Sequence, residues 1–98
     1  MEETNFYKCV ENVIVQQGED GEAVVIRMSE DILDGDDLFV LNTLGYALWA
    51  AGKEKKQIRE VIKEIHMRFP SIDIDTITKD VLLFLNKMRE KGLIQITD

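Results

Sequence analysis

Apolar residues in this 98-residue chain recur at two different periods, and the order of those periods limits the folds open to it. Alternation at period two, expected of strands with one buried face, runs through much of the first 41 residues. Spacings of three and four, expected of amphipathic helices, take over to about residue 92. Alternation then returns in residues 93–96. Strands first and helices after call for an α+β arrangement in which the helices gather on one side of a sheet.

The spacing predicts a strand over residues 9–16, with Cys9, Val13 and Val15 on one face and Val10 and Ile14 on the other. Residues 17–21 form a turn whose Gly18 and Gly21 are free to take positive φ. A second strand over 23–28 sets Val24, Ile26 and Met28 against Val25 and Arg27. Residues 29–37 read as an acidic loop with a turn at Asp34, Gly35 and Asp36. Asp31, Asp34, Asp36 and Asp37 lack the alternating ligands, central glycine and closing glutamate of a calcium-binding loop, so a solvated loop is the better reading. Leu38, Phe39, Val40 and Leu41 make a third short strand.

Asn42 and Thr43 are both suited to cap a helix, since either side chain accepts a backbone N–H. That first helix covers residues 43–51, with Leu44, Leu48 and Ala51 in one stripe and Gly45 and Trp49 beside it. A glycine inside a helix costs about 1 kcal/mol relative to alanine, so Gly45 implies that another element packs closely there. Gly52 is placed to end the helix as a left-handed cap. Ile58, Val61, Ile62, Ile65 and Phe69 give the second helix one apolar face, and Pro70 stops it. The third helix starts near Asp73 or Asp75, whose carboxylates suit a helix N-terminus, and ends at Gly92. Its core stripe is Ile74, Ile77, Val81, Phe84, Leu85 and Met88. The expected fold is α+β: a winged helix-turn-helix with a three-stranded antiparallel N-terminal sheet, three helices and a short C-terminal wing strand, in one domain over residues 1–98.

Composition excludes several kinds of function. With Cys9 the only cysteine, no intrachain disulfide forms, and a reducing compartment is expected. A half-buried strand position suits Cys9 better than a reactive role, because the only histidine, His66, is distant in sequence and off the apolar helix face. Residues 1–5 are acidic and polar, unlike a signal peptide, and the longest strongly apolar run, 81–85, is far too short to span a bilayer. A cytoplasmic protein without membrane association is expected. Residues 1–40 carry 11 acidic and 2 basic side chains, and this field disfavours nucleic acid. No nucleophile with a base, Gly-rich phosphate loop or paired Cys or His at metal spacing is present, so no catalytic residue, metal site or cofactor is expected.

Two features suggest a binding surface instead. If Leu38, Phe39, Val40 and Leu41 lie at a sheet edge, their open backbone groups can pair with an extended peptide; otherwise they are plain core. The third helix also carries more leucine than one buried face requires: Leu82 lies to one side of Val81 and Leu83 nearly opposite. Near Leu83 in projection stand Thr76, Asp80 and Lys87, a polar rim. These leucines suit packing against the sheet, a peptide groove or a homodimer interface.

The C-terminal half carries a recognisable pattern. Leu41 and Asn42 are followed by Gly45, Trp49 and Gly52; later come Ile77, Asp80 with Val81, Phe84 with Leu85, Met88, and Gly92 with Leu93 and Ile94. In order and spacing this resembles the PqqD family, which assists pyrroloquinoline quinone biosynthesis, and the wider set of domains that recognise precursor peptides. The resemblance covers residues 38–96 well and the first 37 loosely. Two positions depart from it: Trp49 replaces a common aliphatic residue, and Ala51 precedes Gly52 where an Asp is common. It implies a non-catalytic peptide chaperone that holds the leader of a ribosomally made precursor between third strand and third helix. Family members typically deliver that peptide to a radical S-adenosylmethionine (SAM) enzyme or another peptide-modifying enzyme. Carried over, Leu38, Phe39, Val40 and Leu41 form one wall, and Asp80, Leu83, Phe84, Lys87 and Met88 the other. Asp80, Val81, Phe84 and Leu85 match the family pattern; Leu83 and Lys87 follow from helical geometry.

A winged-helix DNA-binding regulator has the same layout. Lys53, Lys55, Lys56, Arg59, Lys63 and Arg68 around the second helix favour it, but the third helix lacks a row of Arg, Asn and Gln suited to base edges. A dimerising adaptor is a third reading. Under the peptide reading, Lys55, Lys56 and Arg59 are expected either to dock an acidic patch on the modifying enzyme or to form an ordinary solvated face.

Overall fold

A computed structural model describes residues 1–19, 21–27 and 38–98. Asp20, the expected strand end at Met28, and the acidic segment 29–37 with its turn at Asp34, Gly35 and Asp36 lie outside the described residues. In chain order the elements are β1 (Phe6–Cys9), β2 (Val13–Gln17), β3 (Ala23–Arg27), β4 (Leu38–Leu41), α1 (Thr43–Ala51), β5 (Lys56–Gln57), α2 (Ile58–Arg68), α3 (Ile74–Glu90) and β6 (Ile94–Thr97). The strands form two antiparallel three-stranded sheets, ordered β2-β3-β4 and β5-β1-β6. The α+β expectation and the N-terminal three-stranded sheet hold.

The expected strand over residues 9–16 corresponds to β2 together with Cys9, the last residue of a separate strand whose Phe6, Tyr7 and Lys8 carried no strand expectation. β1 ends at Cys9 and β2 begins at Val13, and they belong to different sheets. The break follows from hydrogen bonding: Val10 donates its N–H to the Leu93 carbonyl at 3.0 Å, so the chain is still tied to the C-terminal strand before it turns away. The closing strand is likewise no lone wing, because β6 pairs with β1 from Phe6↔Thr97 to Cys9↔Ile94. Gly21 takes positive φ (81°) in the hairpin turn, whereas Gly18 does not.

One apolar core joins both sheets to the helices. Tyr7 and Cys9 from β1, Val25 from β3, Leu48 and Trp49 from α1, Ile58, Val61 and Ile62 from α2, and Val81 and Leu85 from α3 are all buried in it. Full burial of each large side chain contributes about 1.5–3 kcal/mol. Two members of the expected helical stripes lie outside it: Phe69 falls at the C-cap of α2 and is exposed, as is Ile74 in the first turn of α3.

The helix ends show which glycines are required and why. Asn42 caps α1, its Oδ1 accepting the Gly45 N–H at 2.7 Å. Asp73 occupies the N-cap position of α3 without a side-chain capping bond. Gly92 has φ 75° just past α3, and Leu93 N–H→Met88 O and Gly92 N–H→Arg89 O close the helix as a Schellman motif. Gly52 differs from expectation, since its φ is −88°, open to any residue. Its requirement is spatial. β1 runs past the end of α1, with the Cys9 N–H bonded to the Gly52 carbonyl at 2.7 Å, and a Cβ on Gly52 would lie 2.5 Å from Tyr7 Cε2. The same approach lets the Tyr7 hydroxyl donate to the Leu48 carbonyl at 2.7 Å, and the Cys9 thiol to that of Trp49 at 3.1 Å. Buried polar groups of β1 thereby satisfy carbonyls of the last turn of α1.

Candidate functional site

β4 sits at one edge of its sheet. Among the described residues it pairs only with β3, in the register Ala23↔Leu41, Val24↔Val40, Val25↔Phe39 and Ile26↔Leu38. Alternation sends Phe39 and Leu41 inward, where both are buried, and leaves Val40 outward, 66% exposed. An edge strand offers a row of unpaired N–H and C=O groups along its open side.

α3 faces this edge across a cavity of about 310 Å³ lined by Phe39, Val40, Leu41, Phe84, Lys87, Met88, Lys91 and Leu93. Phe84, Lys87, Met88 and Lys91 recur at i, i+3, i+4 and i+7, one face of the last two turns of α3. Phe84 is tied to the fold from behind: a Cβ on Gly45 would lie 2.6 Å from its Cζ, so the missing side chain of Gly45 admits the ring. The close approach expected at that glycine is therefore the seat of Phe84. Across the cavity the Lys91 ammonium lies 5.1 Å from the centroid of the Phe39 ring, bridging the end of α3 to the edge strand.

Of the residues singled out in the sequence, Phe39, Val40, Leu41, Phe84, Lys87 and Met88 come together around this one cavity. Leu38 belongs to the same strand. Asp80 lines a separate cavity of about 190 Å³ at the α2–α3 corner, with Leu44, Ile65, Phe69, Ile72, Ile77 and Val81. It stands two turns, about 10 Å, back along α3 from Lys87. Leu83 lines neither of these cavities and is 55% exposed; by helical projection it sits about 40° to the flank of Lys87. Leu82 instead packs half-buried against the core. Lys91 and Leu93 went unremarked as groove residues. Lys91 had a legible signal, lying four residues beyond Lys87 on the same face. Leu93 had none, because its position depends on the turn at Gly92.

The basic residues around α2 are partly engaged within the chain. Lys55 lies 5.2 Å from the Phe6 ring centroid, and Lys56 pairs with Glu64 at 3.0 Å. The Arg59 backbone N–H bonds to the Glu3 carbonyl at 2.9 Å. Lys56, Glu64 and Arg68 rim a wider cavity of about 510 Å³ beside α1 and α2, whose one strand residue is Lys56 of the two-residue β5. Among the described residues, no helix is long and apolar enough to cross a membrane.

The chain is similar in fold to the solved structure of TbiB1 in complex with the TbiA(beta) leader peptide, with a TM-score of 0.73 and 24% identity over 90% of this chain and 94% of that one. No curated protein matches it. The family model for coenzyme PQQ synthesis protein D (PqqD) matches residues 31–94, a span that holds both β4 and α3. This chain belongs to the PqqD family.

Proposed function

We propose that the protein is a non-catalytic peptide chaperone in the cytoplasm. It binds the leader of a ribosomally made precursor by strand addition to β4 and presents it to a modifying enzyme. The observation that carries this reading is the edge of β4, unpaired among the described residues, facing α3 across a largely apolar cavity. Main-chain hydrogen bonds to the edge supply affinity, and the cavity accepts alternate side chains of the added strand. Family membership and the fold shared with a protein solved in complex with a leader peptide support it. The enzyme served is of the radical SAM class. Lys55, Lys56 and Arg59 contribute to its docking, but the packing of Lys55 on Phe6 and the pairing of Lys56 with Glu64 leave Arg59 the strongest contact of the three.

Titration of the labelled protein with a leader peptide, followed by amide NMR, tests the reading. Shifts concentrated at residues 38–41 and 84–93 are expected. Silence there, combined with salt-sensitive shifts around α2 on adding duplex DNA, would replace it with the DNA-binding regulator.

A further inference from the structure

The charge on the groove wall runs against the charge of the chain. The whole protein carries −7, yet the two ionisable residues lining this cavity, Lys87 and Lys91, are both basic. Basic residues in the last turn of a helix are favoured by its dipole wherever they point. Arg89 answers that preference on another face, donating from its guanidinium to Asn86 Oδ1. The dipole does not explain why Lys87 and Lys91 share the face that meets β4.

The spacing of an added strand matches the spacing of these side chains. Alternate residues of a strand paired to β4 would point toward α3 about 6.6 Å apart. Residues four apart on α3 rise by about 6 Å. On a strand lying along α3, a peptide side chain at the level of Phe84 therefore has its inward-facing neighbour, two residues along, close to the level of Lys87 and Met88. A lysine ammonium is a compact cationic donor, and a carboxylate is its natural partner.

On this basis we propose that the groove selects a peptide strand carrying an acidic side chain two residues from the apolar one it buries, and that Lys87 is the residue that reads the acid. The inference rests on the reading of β4 as the peptide-pairing edge. Lys91, held over the Phe39 ring, lends positive potential to the same wall.

Three blocked twelve-residue peptides of otherwise Ser, Thr and Gln test it. Each carries one Leu, with Glu, Gln or Lys two residues away, and binding is read from β4 amide shifts. The Glu peptide is expected to bind about three- to ten-fold tighter than the Gln peptide, in the range of a partly shielded ion pair, with the Lys peptide weakest. Lys87→Gln should erase the preference, and Lys87→Glu should reverse it in favour of the Lys peptide. Equal binding of all three with intact β4 shifts overturns the acid selection while leaving strand pairing standing. Absence of β4 shifts with every peptide at millimolar concentration overturns both.

Discussion

Replacing Gly52 with alanine tests whether the end of α1 is shaped by backbone conformation or by space. The new Cβ would lie 2.5 Å from Tyr7 Cε2, 2.9 Å from Cδ2 and 3.0 Å from Cys9 Sγ. Tyr7 is fully buried and its hydroxyl is held by the Leu48 carbonyl, so the ring cannot swing aside without breaking a buried hydrogen bond. Overpacking of this kind costs about 1–3 kcal/mol. Alanine returns about 0.4–1 kcal/mol by restricting the unfolded chain, and φ of −88° adds no strain. The net expectation is a loss of about 1–2 kcal/mol, or roughly 5–15 °C in Tm for a domain of this size. Urea titration should show a lower midpoint with an unchanged slope. Asparagine separates the two explanations: it is tolerated at left-handed caps, but here its larger side chain should be worse than alanine. Tyr7→Leu should relieve part of the Gly52→Ala penalty, giving a less than additive double mutant. Gly52→Asn matching wild-type stability, or strict additivity with Tyr7→Leu, would refute the steric argument.

Gly45→Ala should behave differently, because the displaced group is the half-buried Phe84 ring at the groove rather than a locked core residue. The helix gains about 1 kcal/mol in propensity, offsetting much of the clash, while the ring moves into the cavity between α3 and β4. Stability within about 1 kcal/mol of wild type and leader affinity lowered about five-fold are expected by denaturation and by titration; intact affinity with a large stability loss would contradict this. Burial pushes the Cys9 thiol up from 9.0 to about 12, opposed only in part by Lys53. The folded thiol holds its proton after the unfolded one has lost it, so stability should fall as pH rises through 9 toward 12. Tyr7, also raised by burial, adds to the fall above 10. Urea midpoints from pH 8 to 11 should decline less steeply for Cys9→Ala, and an identical slope would remove Cys9 as the cause.

The helices were legible because a 3.6-residue period is a local property. Asn42, Pro70 and Gly92 mark boundaries that the structure keeps within a residue or two. Strand partners were not legible, since alternation specifies a face and never a neighbour. Nothing in the residues around Cys9 signals that the strand before it joins β6 while the one after it joins β3. β5 was missed because Lys56 and Gln57 have no apolar alternation; they are strand only because β1 lies beside them. In the groove, positions on one α3 face were readable from spacing, whereas the place of Leu83 outside the cavity lining depends on which flank of α3 meets β4. The glycines show the same division: Gly45 announced a close contact correctly, while Gly52 suggested an unusual dihedral and proved to be a contact as well.

The pairing of β1 with β6 has a consequence for the order in which the protein assembles. Phe6 meets Thr97, so β1 gains its longest partner only after β6, the last of these elements in chain order, has been made. Contacts so distant in sequence close late and slow the overall rate. Until then, among the described residues, the backbone of β1 has only the two-residue β5 to pair with. The β2-β3-β4 sheet, built from neighbours, needs no such delay. The nascent chain can therefore form the β2-β3-β4 sheet, with β4 at its edge, before the core that steadies it is closed.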